Sequence, residues 1–224
     1  VIIMYSNDMF PGTSPLIDED LANNLKGVLQ KLTAPVVLCA IVKPEDSTSV
    51  ELAGFLNHFC SLSDMLSCEF YELGENAQAE SLTDTRFLPA TILRYQENYQ
   101  PVSFHGIPGG QEINAFTLAL YNCAGPGQEV DEKLKKKIEQ INKDVNLLIC
   151  VSLGCHHCAN LVAACQHMAL INPHIHAASV DARLYPDFVA AEKIERVPLL
   201  ILNGKTRSLG DKSMSEVYEL IKHL

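Results

Sequence analysis

The hydrophobic and polar positions of this chain alternate between two periods, and the order of those periods repeats. Apolar residues at 21, 25, 28, 29 and 32 follow Asp18 at helical spacing, so Asp18 is expected to cap a helix reaching about residue 32. Pro35 then introduces an apolar run at 36–42 that suits a buried strand. Leu52, Phe55, Leu56 and Phe59 share one face of a helix across 50–63. A strand is expected at 65–72 and a polar loop at 73–86. Strands at 90–95 and 101–105 follow, then a Gly-rich turn at 106–110 and a helix to about 122. Ala124-Gly125-Pro126-Gly127 interrupts the pattern. Beyond it come a helix at 129–142, a strand at 145–152, a helix at 157–170, a strand at 174–181 and a helix at 186–194. The chain closes with strands at 198–202 and 205–209 about an Asn203-Gly204 hairpin turn, and a helix from Ser213.

The two halves superimpose in pattern. Pro35-Val36-Val37-Leu38-Cys39-Ala40 plays the part of Val145-Asn146-Leu147-Leu148-Ile149-Cys150, and Leu88-Pro89-Ala90-Thr91-Ile92-Leu93 that of Val197-Pro198-Leu199-Leu200-Ile201-Leu202. A repeat of this kind indicates architecture: residues 18–124 and 125–224 are two copies of one α/β fold. Residues 1–17, with Pro11, Gly12, Ser14 and Pro15, read as a tail or linker. The chain begins with Val, which suits a fragment or a processed protein.

The copies differ in chemistry. The strand at 145–152 runs into Gly154 and then Cys155-His156-His157-Cys158, where the first copy has no cysteine. Cys-x-x-Cys spacing lets two sulfurs meet in disulfide geometry. A helix N-terminus acts as roughly half a positive charge, which favours thiolate over thiol. Cys155 is therefore the expected attacking thiol, and Cys158, one turn deeper, the resolving one. His156 and His157 would shape the site and stabilise the thiolate. Val197-Pro198, leading a strand about forty residues on, suggests a cis peptide beside the pair, with Leu88-Pro89 its counterpart. Structural zinc is the competing reading, since His174 and His176 lie downstream. Those histidines alternate along an expected strand, whereas a closed site usually takes its second ligand pair from a turn.

The remaining composition narrows the class. With 224 residues, 47% hydrophobic and 20% charged, the chain suits a globular protein. A net charge of −10 argues against nucleic acid as a partner. No apolar run reaches the ~20 residues of a membrane span, and no signal segment is evident. The other cysteines (Cys39, Cys60, Cys68, Cys123, Cys150 and Cys165) lie mostly in apolar runs and read as small buried hydrophobes, which fits a reducing cytoplasm. The run Lys133, Lys135, Lys136, Lys137 reads as a solvated helix face. There is no Gly-x-Gly-x-x-Gly nucleotide fingerprint after a strand.

The order βαβ, α, ββα resembles the thioredoxin fold, and two such folds in tandem with Cys-x-x-Cys only in the second resemble the N-terminal domain of the alkyl hydroperoxide reductase flavoprotein subunit. The likeness covers about residues 21–221 and is carried by Leu29-Gln30-Lys31-Leu32-Thr33-Ala34-Pro35-Val36, by Val151-Ser152-Leu153-Gly154-Cys155-His156-His157-Cys158, by His167-Met168-Ala169-Leu170-Ile171-Asn172-Pro173, and by Val197-Pro198 with Asn203-Gly204-Lys205. The family motif has Ser at Gly154 and Asn at His157. The resemblance implies a thiol–disulfide oxidoreductase that takes electrons from a flavoprotein module using FAD and NADH and reduces a peroxiredoxin disulfide. It implies no cofactor within this chain. Thioredoxins carry an Asp on the strand entering the dithiol, but Ile149 stands there. The family's Glu in the inactive fold aligns with Glu112, the candidate proton acceptor. A general protein disulfide reductase and a non-catalytic zinc-binding or structural adaptor are the alternatives.

Overall fold

A computed structural model describes residues 9–224; the part of the expected tail at 1–8 lies outside the described residues. Helix α1 (Glu19–Leu29) is followed by β1 (Val36–Ile41), α2 (Ser47–Cys60), β2 (Leu66–Tyr71), α3 (Ala77–Ser81), β3 (Ala90–Tyr95), β4 (Asn98–His105) and α4 (Ile113–Ala124). The order then recurs as α5 (Glu132–Glu139), β5 (Val145–Val151), α6 (Cys158–Ile171), β6 (Ile175–Asp181), α7 (Pro186–Ala191), β7 (Leu199–Leu202), β8 (Thr206–Leu209) and α8 (Met214–Lys222).

The strands form one eight-stranded sheet in the order β2-β1-β3-β4-β6-β5-β7-β8. Within each copy a parallel pair adjoins an antiparallel hairpin. The copies meet where β4 pairs in parallel with β6, from Val102 opposite Ala177 to His105 opposite Val180. The central strands carry apolar residues on both faces, as a sheet covered on both sides demands. On one face Val36, Leu38, Leu147 and Ile149 join residues from α1, α2, α4, α5, α6 and α8 in a core that crosses both copies. Phe116 of α4 lies at its centre, with ring centroids 4.9 Å from Phe104 and 5.0 Å from Phe59. On the opposite face two smaller clusters form, one on Cys39 and Ile92 with Ala79 of α3, the other on Cys150, Leu199 and Ile201 with Phe188 of α7.

Several elements depart from the sequence expectation for identifiable reasons. The loop expected at 73–86 contains α3, a single turn capped by Asn76 and anchored by buried Ala79. The strand expected at 101–105 begins at Asn98, because Gln96 and Glu97 turn the hairpin at φ 48° and 63° without the Gly or Asn that advertises such turns. Within the expected tail, Phe10 and Ile17 are buried, and the Phe10 ring lies 4.9 Å from that of Phe70. The lysines of α5 are exposed, Lys137 stretching over the Tyr218 ring. No helix among the described residues is long and apolar enough to cross a membrane.

Candidate active site: a dithiol beside a buried carboxyl

Strand β5 delivers the dithiol. Its paired register ends at Val151, opposite Asp181 of β6, and the chain then turns, the N–H of Cys155 donating to the Ser152 carbonyl at 2.9 Å. Cys155 and Cys158 are joined in a disulfide with their Cα atoms 5.4 Å apart. The sequence pattern starts this helix at about residue 157 and places Cys158 one turn deeper than Cys155. Cys158 is the first residue of α6, and Cys155 lies in the turn ahead of it. His157 occupies the cap position with no side-chain hydrogen bond to the helix.

The two sulfurs have different surroundings. Cys158 is 3% exposed and belongs to the core, whereas Cys155 is half-buried at its edge. His156 and His157 are exposed. Val197–Pro198 is cis, as is Leu88–Pro89. Val197 also lines a groove of about 430 Å³ with Ser152, Pro186, Val189, Ile194 and Arg196. The groove is mostly apolar and opens beside the dithiol loop. Ser152 and Val197 fall within motifs read from the sequence, whereas Pro186, Val189 and Ile194 come from α7 and the loop after it, which carry no motif.

Glu112 enters from the first copy. It ends a 3-10 turn, Gly110–Glu112, that touches α6 and leads into α4. The turn is pinned to the dithiol loop, since the N–H of Gln111 donates to the Leu153 carbonyl at 3.1 Å. Gly110 sits at φ +55°, and a Cβ there would lie 2.8 Å from that same carbonyl oxygen. The Glu112 carboxyl is 5% exposed and its Oε1 has no hydrogen-bond partner. Burial pushes its pKa up from 4.5 to about 7, and the nearby Asp181 carboxylate adds to the rise. The Ser179 hydroxyl lies beside it and works against the rise. A carboxyl so placed exchanges a proton near neutral pH. Ser179 and Asp181, at the end of β6, are neighbours that no motif or periodicity picks out.

Among the described residues no group of three or more His, Cys, Asp or Glu is arranged to hold a metal ion. His174 pairs with Asp144 at 2.9 Å, both well exposed. Of the six other cysteines, Cys39, Cys68, Cys150 and Cys165 are buried, and Cys60 and Cys123 half-buried. Burial raises the thiol pKa to about 12 at Cys39, Cys123 and Cys150.

Comparison with known proteins agrees with this geometry. A family model described as a thioredoxin domain matches residues 145–222, the copy that carries the dithiol. The alkyl hydroperoxide reductase protein AhpF of Pseudomonas putida is 28% identical over 202 residues, covering 90% of this chain and 36% of that protein. A protein of Bacillus subtilis (strain 168) named NADH dehydrogenase is 26% identical over the same length, covering 90% of this chain and 37% of its own. The chain thus spans a little over a third of these curated relatives. A crystal structure of the NTD_N/C domain of AhpF from Enterococcus faecalis (V583) matches with a TM-score of 0.85 at 35% identity, covering 91% of this chain and 98% of that one. The chain belongs to the family of N-terminal domains of the alkyl hydroperoxide reductase protein AhpF, two thioredoxin-like folds of which the second carries the cysteine pair.

Proposed function

We propose that this chain is a dithiol carrier that takes electrons from a flavoprotein disulfide reductase module and passes them to the disulfide of a peroxiredoxin, within a peroxide-reducing system of a reducing cytoplasm. The FAD and NADH of such a system belong to the donor module, whether on the same longer chain or a separate one. The observation that carries the reading is the asymmetry of the Cys155–Cys158 disulfide, half-buried at one sulfur and enclosed at the other.

The chemistry follows from that asymmetry. In the reduced form the Cys155 thiolate attacks one sulfur of the partner disulfide, whose other sulfur leaves as a thiolate. The mixed disulfide is resolved when Cys158 gives up its proton and attacks the Cys155 sulfur, releasing the partner's second thiolate. Each turn oxidises two thiols and reduces one disulfide. Enclosed Cys158 has little water to take its proton, and Glu112 is the proposed acceptor, its unpartnered oxygen and near-neutral pKa suiting that role. The apolar groove along Val197 would hold the partner's chain during the exchange.

Cys158→Ser tests the assignment. Mixed with an oxidised peroxiredoxin, the reduced variant is expected to accumulate a Cys155-linked mixed disulfide, detected as a cross-linked peptide by mass spectrometry. A link through any other cysteine, or none in the presence of the partner, contradicts the relay. Equal trapping with an arbitrary protein disulfide would favour a general disulfide reductase.

A further inference from the structure

The groove beside the dithiol loop joins an apolar floor to exposed charge. Val189, Ile194 and Val197 line it half-buried, and Arg183, Glu195 and Arg196 line it exposed. Two of the chain's five arginines thus meet at one groove of about 430 Å³, against a single exposed carboxylate. The chain as a whole carries −10, so the groove is a locally positive spot on an acidic protein.

The two arginines are held differently. Arg183 follows β6 in a 3-10 turn, Ala182–Leu184, which Asp181 caps by accepting from the Arg183 N–H at 3.1 Å. The Arg183 guanidinium donates from Nε and Nη2 to the same carboxylate, each at 3.4 Å. The Asp181 side chain is 3% exposed and that of Arg183 60%. A partner therefore reaches the guanidinium and not the acid that orients it. A guanidinium carries five N–H donors in a planar fork, so this contact leaves others for a ligand. Arg196 precedes the cis Val197–Pro198 bond, and among the described residues its side chain makes no ion pair or hydrogen bond.

Resting on the disulfide-exchange reading above, we propose that Arg183 and Arg196 determine specificity. They select partner segments whose reactive disulfide lies beside an apolar residue and an Asp or Glu. The apolar side chain seats against Val189, Ile194 and Val197, and the carboxylate accepts from the two guanidinium groups. The overall field of the chain works the other way, since a net charge of −10 repels acidic segments. At about 0.15 M salt that field is screened beyond roughly 8 Å. A preference for an acidic segment therefore reports the local arginines.

The reduced full chain would be mixed in stopped flow with acetylated, amidated peptides, each with a central Cys in mixed disulfide with thiopyridine and an Ile beside it. Glu, Gln or Lys is placed at each remaining position in turn. Cys155 attacks the peptide sulfur and thiopyridine leaves as the thiolate, its absorbance giving the rate. Cys158 then attacks the Cys155 sulfur and releases the peptide thiol. At one or more positions the expected order is Glu over Gln over Lys, by about 3–5-fold per step in the second-order rate constant. Arg196→Glu should reverse that order, and Arg183→Gln should shrink the Glu-to-Gln ratio. Equal rates for all three, a Lys preference in the native chain, or a Glu preference unchanged in either variant would overturn the proposal and leave disulfide exchange standing. Release of thiopyridine from no peptide would overturn the exchange reading and the proposal with it.

Discussion

The backbone N–H of Gln111 donates to the carbonyl oxygen of Leu153, at 3.1 Å, across the boundary between the two copies of the fold. Leu153 lies two residues before Cys155, and Gln111 is next to Glu112. The bond therefore fixes where the buried carboxyl of one copy stands relative to the dithiol loop of the other. It gives the copy without the Cys-x-x-Cys pair a physical task, to support the loop that carries the dithiol.

Gly110→Ala tests this junction. The position combines a left-handed φ of +55° with a Cβ contact of 2.8 Å to the Leu153 backbone oxygen. An L side chain costs about 1 kcal/mol or more in that conformation, and the carbonyl it meets is backbone that cannot rotate away. We expect a loss of about 2–3 kcal/mol in urea unfolding. The dithiol of the variant should also shift in redox titration, because the loop that carries it must move.

Glu112 makes stability depend on pH, with a defined sign. Below pH 4.5 the carboxyl is protonated whether the chain is folded or not, and it contributes nothing. Between 4.5 and about 7 the unfolded chain releases the proton while the folded chain keeps it, so stability falls as pH rises. Above about 7 the penalty is complete, on the order of 3 kcal/mol. Glu112→Gln should abolish this decline, so that from pH 5 to pH 8 the variant gains relative to the native chain. The check is urea unfolding at both pH values.

The same substitution should slow the resolving step. General acid–base assistance of this kind contributes about 10²–10⁴-fold. In rapid-quench alkylation with a peroxiredoxin disulfide, Glu112→Gln is expected to accumulate mixed disulfide and to lose the rate inflection near pH 7. Initial attack by Cys155 should be little changed. If attack and resolution slow equally, Glu112 acts through the fold rather than on the proton.

Asn172 is the strongest single structural test outside the site. It is 3% exposed, its Nδ2 donates to the carbonyls of Ile138 and Ile141 at 2.7 and 2.8 Å, and its Oδ1 accepts from the N–H of His174 at 2.9 Å. One side chain thereby ties the end of α5 to the turn between α6 and β6. Asn172→Ala removes all three bonds at once and should cost about 1–3 kcal/mol in thermal or denaturant unfolding.

Much of this is legible in the sequence, and the reasons are local. The strand through Cys150, the Gly154-Cys155-His156-His157-Cys158 turn, the Asn203-Gly204 hairpin and the Ser213 cap all advertise themselves through periodicity or residue type; Ser213 proves to form a full capping box with Glu216. Matching the two halves reveals the repeat. What escapes is set by tertiary contact. Gln96 and Glu97 turn a hairpin with residues that rarely do so, and α3 is too short to show a period. Phe10 and Ile17 are isolated hydrophobes in a Pro- and Gly-containing segment, and only the folded core reveals where they go. The environment of Glu112 depends on Ser179 and Asp181, nearly seventy residues away in the chain.

The central claim is that Cys155 and Cys158 act as one two-electron couple that reduces a peroxiredoxin disulfide. A single-turnover experiment tests it most directly. The chain is reduced, freed of reductant, mixed with oxidised peroxiredoxin, and quenched with a mass-tagged alkylating reagent over time. The thiols of Cys155 and Cys158 should disappear together, with equal rate and amplitude, as the same number of peroxiredoxin thiols appears. Peroxiredoxin thiols that fail to appear, or that appear while Cys155 and Cys158 stay alkylatable, would contradict it.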